Sequence, residues 1–256
     1  IDGHTAFIGG INISDRYVNR ADGTGPWWRD THLMIAGSGA LQLQYIFLCD
    51  WNFCAGQQLG ATAGFFPKDH AGEGDVGVQV AASGPDSPRP TIMLSLLRAI
   101  TMAREEILLT TPYFIPGESI SEALRVAALA GVRVRLLVPA RSDSWLVNAA
   151  AWSFYDEMLA AGVEIHMYRR GFVHAKTMVV DGLVAVVGTA NMDQRSFDLN
   201  FEVNAVLYSR EVAGRLRTEF ERDLGHAGRV DPARWAARPL YKQFPERLAR
   251  LAAPLL

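Results

Sequence analysis

The chain is poor in cysteine: Cys49 and Cys54 are the two thiols among 256 residues. So few thiols exclude a disulfide framework and a cysteine-based metal cluster. Both fall in a stretch with helical periodicity and are expected as small core residues, in keeping with a reducing compartment. No apolar run approaches the roughly 18 residues needed to cross a bilayer, and no secretory leader is legible. An excess of one charge sign is missing as well, since 25 Lys and Arg stand against 27 Asp and Glu. That balance argues against a general nucleic-acid binder, which carries a basic face, and leaves room for a local basic pocket. His4, His32, His70, His166 and His226 are scattered, form no metal-ligand cluster and read as structural or surface residues. His32 stands apart because it follows Asp30 closely.

What is present is an ordinary globular composition, 49% apolar and 20% charged, enough for one large domain or two fused halves. Val-, Ile- and Leu-rich runs predict strands near 5–9, 31–36, 77–82, 106–111, 132–138, 163–168, 173–180, 183–188 and 201–208. Helical patterns cover 39–55, 90–104, 118–130, 144–161 and 210–224. Alternation of the two is the signature of an α/β architecture. Gly131 and Gly162 fall where helices should end, each directly before a strand. The Gly-rich stretch 56–76 and the SGPDSPRP segment at 83–90 mark a border, dividing the chain into 1–75 and 76–256. The closing YKQFPERLARLAAPLL is amphipathic. It reads either as a surface helix packed on the domain or as a contact with a membrane surface through Leu248, Leu251 and its basic face.

The richest stretch runs from His174 to Asn204. His174 and Lys176, two apart in a predicted strand, would project from one face. Asp181-Gly182 between two apolar runs is a hairpin signal, so Asp181 reads first as a turn-former. The small residues after it let a ligand approach the backbone, where Thr189 and Asn191 offer a hydroxyl and an amide to a phosphate oxygen. Lys176 would set a positive charge against that oxygen. Glu202 is the expected acceptor for the second imidazole nitrogen of His174, fixing its tautomer. A shortened copy opens the chain. IDGHTAFIGGIN at 1–12 aligns without a gap with VDGLVAVVGTAN at 180–191, setting Asp2, Gly3, Ala6, Gly9 and Asn12 on Asp181, Gly182, Ala185, Gly188 and Asn191. RDTHLMI aligns with FEVNAVL and sets Asp30 opposite Glu202. Such repetition implies a fold built twice. The first copy begins too late to hold its own His and Lys, so the chain is expected to start inside an active-site motif.

HAKTMVVD, followed by Gly-x-x-Asn, fits the His-x-Lys-x4-Asp signature and resembles the phospholipase D superfamily. The blocks IDGHTAFIGGINISDRY, WWRDTHLMIAG, SGPDSPRPTI, TPYFIP, YRRGFVHAKTMVVDG and DQRSFDLNFEVN are similar to bacterial cardiolipin synthases of the two-motif type, across nearly the whole chain. The resemblance implies an α/β phospholipase D-like fold: two pseudo-symmetric halves with mostly parallel β-sheets flanked by helices. Residues 1–75 would be a truncated first half and 76–256 a second half with the complete motif. It implies catalytic roles for His174, Lys176, Asp181, Asn191 and Glu202, and phosphate binding by Asn12, Thr189 and Gly10, with Asp30 and Asp2 in support. It implies phosphatidyl transfer between two phosphatidylglycerol molecules, giving cardiolipin and glycerol through a phosphohistidine. One His attacks and the other, His174, serves as acid and base. No metal and no cofactor are implied.

The implied partner is anionic phospholipid at the inner membrane of a bacterium, on its cytoplasmic side or anchored by upstream segments, with no nucleic acid. Arg169, Arg170 and Arg195 read as surface charges or as contacts to lipid head groups. Hydrolysis of the phosphodiester and a catalytically incomplete fragment are the competing readings. The chain by itself is expected to be inactive as a monomer, unless two copies self-associate so that their His174 residues face each other.

Overall fold

A computed structural model describes residues 1–19, 27–68 and 74–255. His70 and part of the Gly-rich border lie outside the described residues. The chain opens with β1 (Thr5–Gly9), a 3-10 turn at Asp15–Tyr17, β2 (Trp28–Arg29), β3 (His32–Ala36) and α1 (Ala40–Ala55). There follow β4 (Gly77–Ser83), α2 (Thr91–Met102), β5 (Glu106–Thr110), β6 (Phe114–Ile115), α3 (Gly117–Leu129), β7 (Arg133–Pro139), α4 (Trp145–Ala160) and β8 (Glu164–Tyr168). Next come β9 (Phe172–Val173), β10 (Thr177–Val180), β11 (Val184–Gly188), β12 (Met192–Asp193), α5 (Gln194–Asp198), β13 (Glu202–Tyr208) and α6 (Arg210–Leu224). β14 (Ala227–Arg229), α7 (Pro232–Ala236), α8 (Leu240–Arg250) and a 3-10 turn at Ala253–Leu255 complete the order.

Eight strands form one sheet in the order β14-β8-β7-β5-β10-β11-β13-β4. The sheet is mixed. Neighbours are parallel at β5-β7-β8, where α3 and α4 make the crossovers, and antiparallel elsewhere. Strands buried on both faces alternate between two cores: Leu109, Met178 and Val180 join the core under α2, α3 and α4, while Leu108 and Val179 join the core under α6. Ile8 of β1 and Ile35 of β3 complete that second core, so these two strands pack on the same sheet. Both helix-to-strand turns are made as glycine allows, Gly131 at φ 94° and Gly162 at φ 95°.

Two expectations need correction here. Cys49 and Cys54 are exposed, because α1 is apolar on nearly every side and its buried residues are Ala40 and Leu48. Periodicity could not tell its inner face from its outer one. The strand expected over 173–180 is also broken: β9 ends at Val173, β10 begins at Thr177, and His174-Ala175-Lys176 is the irregular link between them.

The repeat is exact in backbone terms. Asp2 and Asp181 are the two non-glycine residues with positive φ among the described residues, at 52° and 51°, followed by Gly3 at 70° and Gly182 at 60°. β1 pairs with β3 from Thr5↔Ala36 to Gly9↔His32. β11 pairs with β13 from Val184↔Tyr208 to Gly188↔Asn204, in the same register.

Candidate active site

The C-terminal ends of β5 and β11 and the start of β10 meet at one edge of the sheet, where the link carrying His174 and Lys176 lies. What brings the first segment to this edge is the short parallel pairing of β2 with β9, Arg29 opposite Val173. The His174 N–H donates to the Arg29 carbonyl at 2.7 Å. Asp30 is thereby placed beside the imidazole, with its Oδ2 2.9 Å from Nδ1. Arg29 itself is held from the other side by Asp223 of α6, at 3.0 Å.

Asp30 therefore takes the place expected of Glu202. The Glu202 carboxylate instead accepts from the Thr189 hydroxyl, and from the Asn200 amide at 3.1 Å. The reason is register. β13 leaves Glu202 opposite Ser83 of β4, whereas β2 and β9 lay Asp30 directly against His174. An acid from one repeat holds the histidine of the other. With Nδ1–H donated to Asp30, Nε2 is the ring nitrogen left to exchange a proton, and the Lys176 ammonium lies 2.8 Å from it. The side chain of His174 is 14% exposed and that of Asp30 3% exposed, so the pair is largely shielded from water.

Lys176 lies against the imidazole, its Nζ 2.8 Å from both ring nitrogens and 2.6 Å from the His174 carbonyl. Adjacency of the two side chains holds even though the link is not a regular strand. Burial lowers the lysine pKa to about 8, opposed by the carboxylates of Asp30, Glu202 and Asp193. An ammonium between acids of both repeats is a fixed positive point for an anionic ligand. Asp193 is itself buried, which raises its pKa, while hydrogen bonds from Ser196 and Asn191 oppose the rise.

The remaining expected residues divide. Asn12 reaches the site through Tyr17: its amide donates to the Tyr17 hydroxyl at 3.3 Å, and that oxygen lies 3.0 Å from His174 Nδ1. Asn191 follows Gly188, whose N–H donates to the Lys176 carbonyl at 3.2 Å, and its amide oxygen is buried with no hydrogen-bond partner among the described residues. Gly10 serves Asp30, since a methyl group there would overlap the Asp30 carboxylate. The Thr189 hydroxyl, expected to donate to phosphate, instead donates to Glu202 and accepts from the Val203 N–H at 2.9 Å.

Asp181 sits at the tip of the β10–β11 hairpin, and Asp2 at the matching turn before β1. Asp181 lies five residues beyond Lys176, roughly 16 Å along an extended chain. Its carboxylate accepts the N–H groups of Arg104, Glu105 and Glu106 at 2.8–2.9 Å. It anchors the hairpin and touches no reacting group. Asp2 is exposed at the matching turn. His32 is exposed and stacks on Phe7, and Arg170 lies over the Trp27 ring.

Sequence reasoning missed an aromatic wall: the rings of Tyr17, Trp28 and Phe172 lie 5.8, 5.6 and 6.0 Å from the imidazole. The cue lies in SDRY and WWRD, short aromatic-bearing runs outside any periodic segment. No group of three or more His, Cys, Asp or Glu side chains suited to a metal ion occurs among the described residues.

With this geometry in view, comparison with known proteins places the fold first. Phosphatidylserine synthase of Haemophilus influenzae Rd KW20 superposes with a TM-score of 0.70 over 99% of this chain and 69% of that one, at 14% identity. Nuc of Salmonella typhimurium, a phospholipase D family member, gives a TM-score of 0.53 over 61% of this chain and 99% of its own, at 20% identity. The fold is that of phospholipase D. Residues 96–224 match the family profile described as "Cardiolipin synthase, PLD-like domain", and the chain belongs to that family. Cardiolipin synthase of Geobacillus thermodenitrificans strain NG80-2 is 44% identical over 256 residues, all of this chain and 51% of that protein. The cardiolipin synthase of Listeria innocua serovar 6a is 41% identical over 257 residues, covering 53% of its length. The chain spans about half the length of the curated relatives it matches.

Proposed function

We propose that the protein of which this chain is a part transfers a phosphatidyl group between two phosphatidylglycerol molecules, yielding cardiolipin and glycerol. The observation that carries the reading is the imidazole of His174 held between the Asp30 carboxylate and the Lys176 ammonium, with acid and histidine drawn from different copies of one repeat. Residues 1–75 then belong to one half of the enzyme and 76–256 to the other. By the same register, Glu202 is the acid assigned to the histidine of the other His-x-Lys copy.

In the first step that second imidazole attacks phosphorus, an N–P bond forms, and the P–O bond to glycerol breaks. His174 gives its Nε2 proton to the departing glycerol oxygen. In the second step the terminal hydroxyl of the next phosphatidylglycerol attacks, passes its proton back to His174, and the N–P bond breaks. Splitting one displacement in two is nucleophilic catalysis, with one ring neutral and one protonated at each stage. Lys176, Asn191 and Asn12 face the non-bridging oxygens, whose charge grows in the transition state. The site's acidic surroundings, Asp30, Glu202 and Asp193, suit a single phosphodiester better than a polyanion. The substrate would be anionic phospholipid at a membrane, where the enzyme would work.

The test is incubation of the whole protein with phosphatidylglycerol vesicles and separation of the lipids. Cardiolipin and free glycerol in equal amounts are expected. Phosphatidic acid as the lone lipid product would replace transfer with hydrolysis.

A further inference from the structure

The helix α8 is turned the wrong way round for a helix that serves only to cover the domain. Its acid faces inward: Glu246 is 5% exposed, bonded by both oxygens to Arg238 at 2.7 and 2.9 Å. Ala249 is buried beside it against α4. Its large apolar side chains face out. Leu240, Tyr241, Phe244, Leu248 and Leu251 are between 58% and 78% exposed. At 100° per residue they fall within one stripe of about 100°. Arg247 is exposed at the edge of that stripe, and Lys242 is exposed in the first turn of the helix. With Glu246 turned inward, no acidic side chain of α8 faces solvent.

Two features say what lies on this stripe. Its outward charge is cationic, which complements an anionic surface, and its aromatic members Tyr241 and Phe244 are of the kind that settle at a lipid–water boundary. Its C-terminal end also leads to the active site. The 3-10 turn at Ala253–Leu255 packs on α5, and the residues after α5, the exposed Leu199 and Phe201, run into Glu202.

We infer that α8 lies in the surface of an anionic phospholipid bilayer, its Tyr241–Phe244–Leu248–Leu251 stripe among the acyl chains, and brings the edge carrying His174 to the head-group layer. The inference extends the transfer reading by naming the surface that presents the substrate. It is tested by binding, so that failure of transfer activity and failure of this surface are read separately.

The experiment is co-sedimentation of this chain with vesicles of phosphatidylglycerol and phosphatidylcholine, or of phosphatidylcholine alone. A triple variant, Phe244→Ser with Leu248→Ser and Leu251→Ser, and the single variant Arg247→Glu are compared with the parent chain. All four side chains are exposed, so circular dichroism and melting temperature should hold. Expected is anionic-vesicle binding weakened about tenfold or more by the triple variant, and severalfold by Arg247→Glu at low salt. In a Tyr241→Trp variant, tryptophan emission should shift to the blue on adding the anionic vesicles. Undiminished binding of the triple variant would overturn the inference. So would a chain that ignores both vesicles and sediments as a dimer which the triple variant splits, since the stripe would then be an interface between copies.

Discussion

The β1–β3 and β11–β13 strand pairs are one design carried out twice, each entered through the same left-handed Asp-Gly turn and paired in the same register. What each pair touches differs. At the turn, Asp181 collects three backbone N–H groups ahead of β5, while Asp2 faces solvent. At the other end, Asp30 grips His174, while Glu202 grips Thr189 and Asn200. Local sequence dictates the turn and the register. The role of each carboxylate is decided by the strand laid beside it, here β9 for Asp30 and β4 for Glu202.

The most severe break of this comparison is at the histidine. In the whole protein His174→Ala should lower cardiolipin formation by about 10⁴-fold, the scale on which removal of a catalytic imidazole acts. Rapid quench followed by mass spectrometry should still find a phosphatidyl group on the other histidine, since the proposed mechanism gives His174 the acid-base role. A phosphatidyl group trapped on His174 itself in the parent enzyme would reverse the two roles. Asp30→Asn comes next. It keeps the shape and loses the charge that orients the ring, and about 100-fold in kcat is expected with little change in KM. Glu202→Gln should cost a similar factor if the two acids serve opposite histidines. A Glu202→Gln variant as active as the parent would show that the symmetry ends at the backbone.

These two carboxylates also mark how far the sequence could be read. The long elements were legible because several periods of apolar residues specify them, as in RVRLLVP of β7, which is buried from Val134 onward. The two-residue strands β2, β6, β9 and β12 were not, being shorter than any period. Since β2 and β9 are what join the repeats, sequence proximity points to Glu202 as the partner of His174, rather than to Asp30, 144 residues away. Chemistry-bearing residue types were visible; the pairing that gives them roles was not. Tyr17 belongs to the same class, since its place is set by what packs nearby, whereas the outward stripe of α8 was partly legible in Leu248 and Leu251.

Lys176 sharpens the comparison through pH, being the ammonium shared by both acids. Burial holds its pKa at about 8, below the ordinary 10.5. Activity that needs the ammonium should fall about tenfold for each pH unit above that value. Stability moves the other way. Between pH 8 and 10.5 the unfolded chain binds the extra proton, so this residue's contribution to stability rises with pH across that window. Lys176→Met should flatten both dependences, and a pH–rate profile unchanged by it would place the titrating group elsewhere.

The turns offer a matched pair for stability. Asp2 and Asp181 have the same backbone strain, so replacing each by Ala adds the same left-handed cost, and the difference isolates the carboxylate. Three charge-assisted hydrogen bonds should make Asp181→Ala about 2 kcal/mol worse than Asp2→Ala in urea unfolding. Equal midpoints would mean that the N–H groups of residues 104–106 find water as readily as they find Asp181.

Tyr17 gives the smallest expected effect and the finest test of how the repeats are joined. Its hydroxyl bridges Asn12 and the Gly10 carbonyl of the first repeat to the imidazole of the second. Burial and the nearby Asp30 charge raise its pKa, keeping it a neutral donor. In Tyr17→Phe the ring still packs on Trp28 at 5.1 Å, so folding should be preserved and only the bridge lost. One neutral hydrogen bond is worth about 1 kcal/mol, or roughly fivefold in kcat/KM. Because the bridge carries Asn12, the loss should be absent once Asn12 is already Ala. Additive losses in the double variant would assign Asn12 and Tyr17 to the phosphate and the imidazole separately, leaving the β2–β9 pairing as the link that aligns the two repeats.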